Sequence, residues 1–597
     1  MSQSQEGGGT GAQLRMVTWT SVVVFIGAAW LASAQLGLAI EWSPWPWIVS
    51  RCRCFPGDGC WPSPAEWAAF NETVGGRLIP TVPVASPCHD GFPGISYDAE
   101  KCADIQANWI RPEFHHETTH SPMAAFFANN SCDPFTPREA QCPIGAYVRY
   151  AVNATGAEHF KETIAFALKN NIRLVIRNTG HDYMGKSTGA GALALWTHHI
   201  KERSIIDYKS AAYKGKAMKI GAGVQALEAQ KMANEAGFVV VEGDCPTVGI
   251  AGGYTQGGGA SPLASKFGLA VDQVLEWEVV TADGRLRKAT PTQNADLYWA
   301  LSGGGGGTYG AVLSMTVRLH KNMKTAGAIL SFMDATDAYW QAVQAVLVNL
   351  PAVLRAGATA YWQVIPPIYS GLPGNLFTLP QLYLPDGTAK DVEKLLKPML
   401  EALDKIGVQY AFAPKDYPSF QDAFYTMNPW QNVTEVNLGG RLIPRSLVED
   451  DKSAAALTDA IKSIAINGGI SAGVSMDTSR WPAIPNSANP EWQKTLFLAF
   501  IGIPYDRANF TENIASQRAV TNVLMPALEA LTPGGAAYLN EADINQPNWQ
   551  QAFYGTNYAK LLAIKKKYDP TGIFWGPTTV GSEKWEQAAD GRLCRSG

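Results

Sequence analysis

Apolar residues recur along the chain with two different periods, which predicts a mixture of strands and helices from about residue 140 onward. The run AYVRYAV, residues 146–152, alternates and is typical of a strand. Phe160, Ile164 and Leu168 then recur every fourth residue, which predicts an amphipathic helix. The run IRLVIR that follows, residues 172–177, predicts a buried strand.

The mixture of strands and helices continues to residue 322, and this region carries most of the glycine-rich turns. We expect Asn294 to cap a short helix, because an Asn side chain can accept a hydrogen bond from a backbone N–H of the first turn. The other predicted elements are a strand at 217–220, a helix at 224–237, a hairpin over 274–290 that turns at Asp283-Gly284, and a strand at 310–320.

Amino-acid composition and hydrophobic periodicity change between segments of the chain, which predicts more than one domain. Residues 35–139 are rich in Pro, Cys, Trp and Gly with little periodicity, so we expect loops stapled by disulfides there. Long helical runs such as 453–465 lie between aromatic strands further on, which indicates a second domain. The expected segments are 1–34, a signal peptide or anchor; 35–139, a Cys- and Pro-rich extension; 140–322, a first domain; 323–535, a second domain; 536–583, a motif-rich C-terminal segment; and 584–597, a tail.

The N-terminal residues have the layout of a secretory signal. Arg15 precedes an apolar run, and Ala32 to Ala34 form a small-x-small cleavage site. The alternative is a retained membrane anchor, because no charge occurs from Met16 through Ile40. Both interpretations place the rest of the chain in the secretory lumen or outside the cell. Five sequons for N-glycosylation agree with this placement, at Asn71, Asn129, Asn153, Asn432 and Asn509.

Composition narrows the class of function. Hydrophobic residues make up 46% of the chain, enough for a large interior, and the net charge of -4 gives no basic surface for nucleic acid or an anionic membrane. Seven of the nine cysteines lie between Cys52 and Cys142, which suits an oxidising compartment. An odd count leaves one thiol for another task, and the two isolated cysteines are Cys245 and Cys594.

Two short motifs invite nucleotide-binding interpretations. GHDYMGKS, residues 180–187, fits the phosphate-loop pattern, but TGAGALALW follows it and is a poor start for the helix that such a loop must open. GAGVQA, residues 221–226, follows a predicted strand, with Asp244 at the spacing of a dinucleotide fingerprint. The neighbouring segments do not repeat the strand–helix rhythm of that fold, so we interpret its glycines as permitting a tight turn.

A third motif, HETTH, is a literal H-E-x-x-H. A zinc metalloprotease would need His116 and His120 on one helical face, with Glu117 beside the bound water. Pro112 and Pro122 bracket the segment and leave no room for a long helix. We expect a loop with surface histidines and no metal, and the zinc metalloprotease stays as an alternative.

Three longer segments carry more information than these short motifs. They are RNTGHDYMGKSTGAG, residues 177–191; GDCPTVGIAGGYTQGGG, residues 243–259; and YLNEADINQPNWQQAFYGTNY, residues 538–558, with KKKYDPTGIF behind it. In their order and spacing they resemble the FAD-linked oxidases of the vanillyl-alcohol oxidase and p-cresol methylhydroxylase superfamily, and most closely its berberine bridge enzyme-like branch. The resemblance covers roughly residues 140–583.

The resemblance implies an α+β fold in two parts. Residues 140–322 and the returning segment 536–583 would form an FAD-binding domain of p-cresol methylhydroxylase type. Residues 323–535 would form a substrate domain, an antiparallel sheet backed by helices that covers the substrate side of the flavin.

The same resemblance implies the cofactor-binding residues. Glycine-rich loops suit the FAD pyrophosphate, because a missing side chain lets backbone N–H groups approach it. The implied residues are Arg177, Asn178, Thr179, Gly180, His181, Asp182, Gly185, Ser187, Cys245, Val248, Gly249, Gly252, Gly253, Gln256, Gly257 and Asn540.

Two of these residues are implied to bond to the flavin. His181 stands where this branch attaches the flavin 8-methyl carbon, and Cys245 stands where some members form a thioether at C6. Whether the flavin is linked once or twice stays open. If Cys245 is used in this way, eight cysteines remain for four disulfides, and we hypothesise that Cys594 pairs with the N-terminal cluster.

The resemblance also implies catalytic roles. Tyr538 matches a tyrosine that serves as a base, Tyr183 matches a flavin-side tyrosine, and Asn540 would orient the flavin or Tyr538. Relatives often carry a histidine after the QGGG run, where this chain has Ala260-Ser261, so a proton relay from that position is in doubt.

The implied reaction is hydride transfer from an organic substrate to FAD and then to O2, giving H2O2. Fungal members of the branch suggest a secondary-metabolite alcohol, amine or activated C–H as the substrate. An oligosaccharide oxidase is the near alternative. A non-redox cyclase on a flavin scaffold and a secreted binding module are alternatives of other classes.

Overall fold

The protein is described by a computed structural model. The signal peptide or anchor predicted for residues 1–34 lies outside the described residues. Within them, no helix combines the length and apolar character needed to cross a membrane. The described residues are 51–129, 131–428, 432–433, 435–507 and 509–596.

The strands and helices are as follows. The strands are β1 Leu78–Pro80, β2 Tyr150–Asn153, β3 Leu174–Arg177, β4 Leu193–Trp196, β5 Arg203–Lys209, β6 Lys214–Gly221, β7 Phe238–Val239, β8 Val274–Val280, β9 Leu286–Ala289, β10 Ala311–Arg318, β11 His320–Lys321, β12 Thr325–Asp334, β13 Thr359–Ile365, β14 Asn375–Pro385, β15 Tyr410–Tyr417, β16 Val436–Pro444, β17 Ile470–Ser475, β18 Thr495–Pro504, β19 Trp585–Gln587 and β20 Leu593–Arg595. The helices are Pro64–Thr73, Ala99–Asn108, Pro112–His116, Ala157–Lys169, Ala226–Glu235, Ala264–Phe267, Ala295–Leu301, Asp337–Arg355, Pro367–Ser370, Ala389–Ile406, Phe420–Met427, Asp451–Ile466, Phe510–Ala519, Met525–Glu529, Trp549–Tyr554 and Tyr558–Tyr568.

A four-stranded sheet opens the predicted FAD-binding region, with the order β1-β2-β4-β3. Strands β2, β3 and β4 run parallel, and Arg177 of β3 lies opposite Trp196 of β4. The carboxyl ends of parallel strands meet at one edge of a sheet, which is where ligands bind in many α/β folds. The loop after β3, which contains His181, therefore leaves the same edge as the residues after β4.

A five-stranded antiparallel sheet follows, with the order β5-β6-β10-β8-β9. It includes the predicted hairpin, β8 and β9, which pair through Val280 and Leu286. Because β6 is antiparallel to both neighbours, the GAGVQA motif at its end does not open a parallel strand–helix–strand unit, and the dinucleotide interpretation fails. Gly223 instead lets the backbone pass the carbonyl oxygen of His198, where a Cβ atom would collide.

The Cys- and Pro-rich extension is more regular than expected. The expectation of loops is wrong for residues 64–73 and 99–108, which are helices. The first begins in a capping box formed by Ser63 and Glu66, and its buried Trp67 belongs to a core cluster with residues of the four-stranded sheet. The extension also supplies β1 to that sheet, which makes it part of the first domain.

The predicted substrate domain is built on a seven-stranded antiparallel sheet. Its strand order is β15-β12-β14-β13-β17-β18-β16. The long helices Asp337–Arg355, Ala389–Ile406 and Asp451–Ile466 share one apolar core with this sheet. The expected antiparallel sheet backed by helices is therefore confirmed.

The C-terminal segment returns to the first domain, as expected. Phe574 forms a parallel bridge to Leu174 of β3. The ammonium of Lys565 is buried and donates to the carbonyl oxygens of Thr308 (2.6 Å) and Phe574 (2.5 Å) and to the Asp569 carboxylate (2.6 Å). This one side chain therefore joins the tail to a glycine-rich loop between Leu301 and β10.

Four disulfides are present in the described part of the chain, and Cys245 is in none of them. Cys594 pairs with Cys52, which confirms the hypothesis that the two ends of the folded region are stapled. The other pairs are Cys54–Cys60, Cys88–Cys102 and Cys132–Cys142.

One local prediction is wrong. Asn294 stands at the start of the helix Ala295–Leu301, but its backbone is left-handed (φ 48°) and its side chain makes no cap. Its amide donates instead to the carbonyl oxygen of Lys288 (2.7 Å), which fastens the helix to β9. Asn is favoured both at helix N-caps and in the left-handed backbone region. Here Asn294 adopts the left-handed conformation and does not cap the helix.

Candidate active site

A cavity of about 600 Å³ lies between the loops of the first domain and the seven-stranded sheet. Its size is that of a cofactor or ligand site. The structure places most of the predicted site residues on its wall. These are Asn178, Thr179, Gly180, His181, Asp182, Tyr183, Ser187, Cys245, Val248, Gly249, Gly252, Gly253, Gln256, Tyr538 and Asn540.

The two residues implied to bond to the flavin lie side by side. Cys245 Sγ is 3.9 Å from His181 Nε2, and Thr247 Oγ1 contacts both, at 2.7 Å from His181 Nε2 and 3.5 Å from Cys245 Sγ. Gln225 holds this threonine by donating to its carbonyl oxygen (2.9 Å). Two segments far apart in sequence thus present a nitrogen and a sulfur nucleophile to one end of the cavity.

Burial sets the protonation of this pair. It lowers the pKa of His181 to about 3, so the imidazole is neutral and keeps a lone pair at neutral pH. Burial raises the pKa of the Cys245 thiol, against hydrogen bonds from Thr247 that lower it. The thiol is therefore protonated at neutral pH, and a bond from its sulfur requires loss of that proton.

The loop that carries His181 is braced by its neighbour Asp182. The Asp182 carboxylate accepts hydrogen bonds from the backbone N–H of Met184 (3.1 Å), of Ser187 (3.2 Å) and of Lys186. Residues 178–192 run from β3 to β4 without a helix, so the phosphate-loop letters lack the helix N-terminus that a triphosphate site needs.

Two residues that line the cavity each hold a buried acceptor without a hydrogen-bond partner among the described residues. Asn178 Oδ1 and Gln256 Oε1 are buried and have no hydrogen-bond partner in the described structure. Their amide N–H groups are used, toward the carbonyl oxygens of Ala222 (2.5 Å) and Ala251 (3.1 Å). An unpaired buried acceptor costs about 1–3 kcal/mol, so a ligand that donates to these oxygens is favoured. FAD carries such donors in its ribityl and ribose hydroxyls and its adenine amino group.

A cationic side chain in the cavity wall suits the pyrophosphate of FAD. Lys186 lines the cavity, and burial lowers its pKa while Asp182 opposes that shift. A pyrophosphate nearby would favour the charged form of this lysine and would be stabilised by it in turn. The residues present therefore fit the flavin cofactor.

A glycine-rich loop that the sequence reasoning missed also lines the cavity. Gly306, Gly307 and Gly310 come from the run before β10. A Cβ atom on Gly306 would lie 2.7 Å from the Cα atom of Gly253, so the two loops touch backbone to backbone. The run of five glycines at 303–307 was a visible signal for such a close approach.

Tyr538 is held in the wall by two donors to its hydroxyl oxygen. Asn540 Nδ2 donates to Tyr538 Oη (2.7 Å), and the backbone N–H of Gly259 donates to it as well (3.1 Å). Asn540 thus contacts Tyr538, one of the two partners predicted for it, and its role stays a prediction. Burial, and next the charge of Glu541, raise the pKa of Tyr538 well above its ordinary value. At neutral pH this phenol is a hydrogen-bond donor and is poorly suited to act as a base.

Glu541 is an acid–base group that the sequence reasoning missed. It lines the cavity, and burial together with the charge of Asp244 raises its pKa to about 7. A carboxyl group with that pKa exchanges a proton near neutral pH, as a general base requires. The only sequence signal was its place three residues after Tyr538, within the same motif.

The seven-stranded sheet closes the opposite side of the cavity. Tyr361 and Gln363 of β13, Val474 of β17 and Phe500 of β18 line it, and the Tyr183 ring meets Phe500 edge to face at 6.3 Å. These positions come from the sheet's pleat and register, which no local motif reveals. Their side chains make this side of the cavity largely aromatic and apolar.

Three predicted cofactor residues lie outside the wall. The guanidinium of Arg177 is buried and donates to the carbonyl oxygens of Thr118 (3.0 Å), His115 (3.0 Å) and Ser121 (2.8 Å). It fastens the segment 115–121 to β3 through Nε and Nη2, whereas its Nη1 is buried without a hydrogen-bond partner in the described structure.

The other two are glycines that make room for side chains. Gly185, at φ 73°, faces the ring of Phe127, where a Cβ atom would lie 2.7 Å from Cδ1. Gly257 leaves space for the amide of Asn540. Both act on the shape of the site from behind its wall.

Ala260 lines the cavity. Its methyl group cannot relay a proton, so the structure offers no relay from this position.

The H-E-x-x-H segment does not have a metalloprotease geometry. The helix Pro112–His116 ends at the first histidine, and the backbone N–H of Val84 donates to His120 Nε2 (3.2 Å) elsewhere. The expectation of surface histidines is also wrong, because His116 and His120 are both buried. Glu117 meets His116 and a histidine from another segment instead.

The predicted glycosylation sites differ in exposure. Asn129, Asn432 and Asn509 are exposed, whereas Asn71 and Asn153 are half-buried. The side-chain oxygen of Asn71 accepts from the backbone N–H of Leu78 (2.9 Å).

Comparisons with known proteins agree with this site. Residues 148–290 match the family described as FAD binding domain, and residues 537–581 match the family described as berberine and berberine like. The FAD-linked oxidoreductase sor8 of Hypocrea jecorina is 49% identical over 92% of this chain and 93% of its own length.

Solved structures show the same fold. The crystal structure of the VAO-type flavoprotein MtVAO615 from Myceliophthora thermophila C1 is 44% identical and covers 91% of this chain and all of its own, with a TM-score of 0.87. A more distant structure is that of glucooligosaccharide oxidase from Acremonium strictum, described with a 6-S-cysteinyl, 8α-N1-histidyl FAD. It is 19% identical over 73% of this chain and 92% of its own, with a TM-score of 0.59.

Proposed function

The chain belongs to the vanillyl-alcohol oxidase family of FAD-linked oxidoreductases, in its berberine bridge enzyme-like branch, and on that premise we propose that it is a secreted oxidase of a small organic metabolite whose flavin is linked through both His181 and Cys245. FAD, when bound, accepts a hydride from the substrate and passes the two electrons to O2, which becomes H2O2. The substrate class that we propose is an alcohol, amine or activated C–H of a secondary metabolite.

The contact between His181 and Cys245 is the observation that carries the proposal. Cys245 Sγ lies 3.9 Å from Nε2 of the His181 imidazole, close enough for both side chains to reach one ring system. The distant relative described with a cysteinyl and histidyl FAD shares the fold, and this chain has both residue types at one end of its cavity. Each linkage replaces one hydrogen on the side chain and one on the ring system, and O2 takes up the two protons and two electrons as H2O2.

We assign the base to Glu541 and a donor role to Tyr538. The carboxylate of Glu541 takes the proton that leaves the substrate while the hydride departs, and its pKa of about 7 suits that exchange. Tyr538 Oη already accepts two hydrogen bonds, so its own proton is the one left to donate to the substrate. This assignment changes the role expected for Tyr538 from base to positioning donor.

The side of the cavity that the sheet forms supports a cyclic organic substrate. Tyr183, Tyr361 and Phe500 offer ring faces and edges, and Gln363 adds an amide. Such a wall packs against flat or cyclic substrates. Oligosaccharide oxidation stays as the second candidate, because carbohydrate oxidases share the fold.

A secretory location is proposed on the disulfides. Four disulfides in the described chain suit an oxidising compartment, and one of them joins residues 542 positions apart. Retention by an N-terminal anchor is the alternative. Mass analysis of the mature protein, before and after removal of N-glycans, distinguishes the two and tests the sequons.

The linkage is tested by denaturing the purified protein in acid and following the yellow colour. We expect colour to stay with the precipitate for wild type, His181→Ala and Cys245→Ser, and to leave it for the double variant. A matched control is Cys245→Ala, which must behave as the serine variant. Loss of colour from either single variant would show one linkage only.

The reaction class is tested separately under anaerobic conditions. Candidate metabolites and sugars are added to the holoenzyme, and bleaching of the flavin absorbance reports hydride transfer. Admission of air should restore the colour and yield one H2O2 per substrate oxidised. Turnover of a substrate without bleaching would favour the non-redox cyclase.

A further inference from the structure

We propose that His116, Glu117 and His198 form a binding site for a divalent first-row metal ion, with Zn²⁺ as the probe, on the sheet edge behind the flavin-binding loop. His116 and Glu117 are the first two ligand-type residues of the H-E-x-x-H segment. The third residue comes from the segment after β4 rather than from His120.

The two distances from the Glu117 carboxylate oxygen to the ring nitrogens match the ligand spacing around a tetrahedral ion. His116 Nδ1 lies 3.3 Å from Glu117 Oε1, and His198 Nε2 lies 3.5 Å from the same oxygen. All three atoms lie within 4.8 Å of one another. Two ligands at about 2.0–2.1 Å from a tetrahedral zinc ion are about 3.3–3.4 Å apart, so small side-chain adjustments complete the geometry.

The chemistry of the two imidazoles also points to an ion. His116 Nδ1 is buried and has no hydrogen-bond partner within the described chain, although it faces the carboxylate. Two imidazoles and a carboxylate are a common donor set for zinc.

Neighbouring groups leave the site open and ordered. The Glu117 side chain is 62% exposed, which gives an ion a way in and leaves a fourth position for water. His199 Nε2 lies 3.9 Å from Glu117 Oε2, and its Nδ1 is held by Asn153 Oδ1 (2.9 Å). The nearby ammonium of Lys201 is paired with Glu228 (2.9 Å), which reduces its repulsion of a cation.

A second group of potential metal ligands lacks the free thiolates that an ion would need. Cys54, Asp58 and Cys60 also stand close enough to hold an ion. Both sulfurs are consumed in the Cys54–Cys60 disulfide, so no thiolate is available there. The histidine cluster has no such competing bond.

A bound ion would fasten the segment 115–121 to the end of β4. The same segment is already held by Arg177 at the end of β3, and the loop with His181 begins there. The ion would therefore stabilise the edge from which the flavin-linking loop departs. We expect this role to be structural, with the flavin absorbance unchanged.

Calorimetric titration of the untagged, chelator-treated holoenzyme with Zn²⁺ tests the site. We expect one saturable ion per chain and a higher unfolding temperature with Zn²⁺ present. Glu117→Gln and His198→Asn should weaken binding at least about tenfold, whereas the control His159→Gln, at a histidine outside the cluster, should bind as wild type does. Retained flavin colour shows that each variant has folded.

Two results would overturn the site. One is the absence of saturable Zn²⁺ binding by the wild-type holoenzyme. The other is binding by Glu117→Gln with wild-type affinity, since the exposed carboxylate is the one ligand whose replacement leaves the buried rings in place.

Discussion

Replacing Lys565 by Met should cause a large loss of stability although it leaves the cavity wall untouched. The ammonium of Lys565 and the carboxylate of Asp569 are both buried, 2.6 Å apart, with 8% and 0% of their side chains exposed. The ammonium also serves the carbonyl oxygens of Thr308 and Phe574. The methionine would fill the same space and remove all three hydrogen bonds.

The expected fall in the free energy of unfolding follows from the groups that lose the Lys565 ammonium as a partner. Two buried carbonyl oxygens lose a charged donor, at about 1–3 kcal/mol each where no other donor replaces it. Asp569 keeps the backbone N–H groups of Ile573 (3.0 Å) and Phe574 (2.9 Å) but loses its counter-charge. Breaking one partner of a buried ion pair costs about 3–5 kcal/mol, and we expect the free energy of unfolding to fall by that amount.

The assay is guanidinium unfolding of the holoenzyme, followed by tryptophan fluorescence, with two comparison variants. Lys566→Met removes an exposed lysine from the same helix and should change the free energy of unfolding by no more than about 0.5 kcal/mol. The double variant Lys565→Met with Asp569→Asn removes both charges but also one acceptor, because an amide can accept from only one of the backbone N–H groups of Ile573 and Phe574; it should therefore recover only part of the loss. A loss for Lys565→Met no larger than that for Lys566→Met would refute the uncompensated charge as the cause.

Three further outcomes are expected. Gly306→Ala should lower flavin content and cost about 1–3 kcal/mol, because its Cβ atom would lie 2.7 Å from the Cα atom of Gly253; unchanged flavin absorbance per protein would contradict this close approach. Glu541→Gln should lower kcat/KM by about 10²–10⁴-fold and abolish its rise through pH 7, since the base is active only when ionised; a pH profile with the wild-type limb would exclude it. His115 and His320, whose pKa values burial lowers to about 4, should each make the free energy of unfolding fall by up to about 1.4 kcal/mol per pH unit between pH 6.5 and 4, and chemical unfolding across that range should show a smaller slope for His115→Asn.

Stability falls with falling pH because each histidine binds its proton at a lower pH in the folded chain than in the unfolded chain. The unfolded chain protonates a histidine near pH 6.5, whereas the folded chain keeps His115 and His320 neutral to about pH 4. The stability is therefore fully present above pH 6.5 and is lost as the pH falls.

Regular elements with a clear apolar period could be predicted from the sequence. The helix Ala157–Lys169 and the β8–β9 hairpin lie where the periodicity and the Asp-Gly turn place them. The helix Pro64–Thr73 was missed because abundant Pro, Cys and Gly dominated the interpretation of its segment. A signal was present, since Ser63, Pro64 and Glu66 form the usual start of a helix.

Site residues that lie within one long sequence motif could be predicted from the sequence. Residues whose role depends on tertiary contacts could not. His181, Cys245 and Asn540 lie in long motifs and reach the cavity. Arg177 stands in the same motif as His181, but its buried guanidinium donates to carbonyl oxygens of a segment that lies 56 or more residues away in sequence. Glu541 became a candidate only when the fold placed it beside Asp244 and away from water.

The distances in sequence imply an order of events for the cofactor. His181 and Cys245 are 64 residues apart, and Tyr538 reaches Gly259 across 279 residues. His181 and Cys245 meet within the first domain, whereas Tyr538 and Asn540 reach the same cavity only when the returning tail is docked. Because the tail supplies these two side chains to the cavity wall, any change that loosens it, such as the loss of Lys565, should reduce the amount of bound flavin.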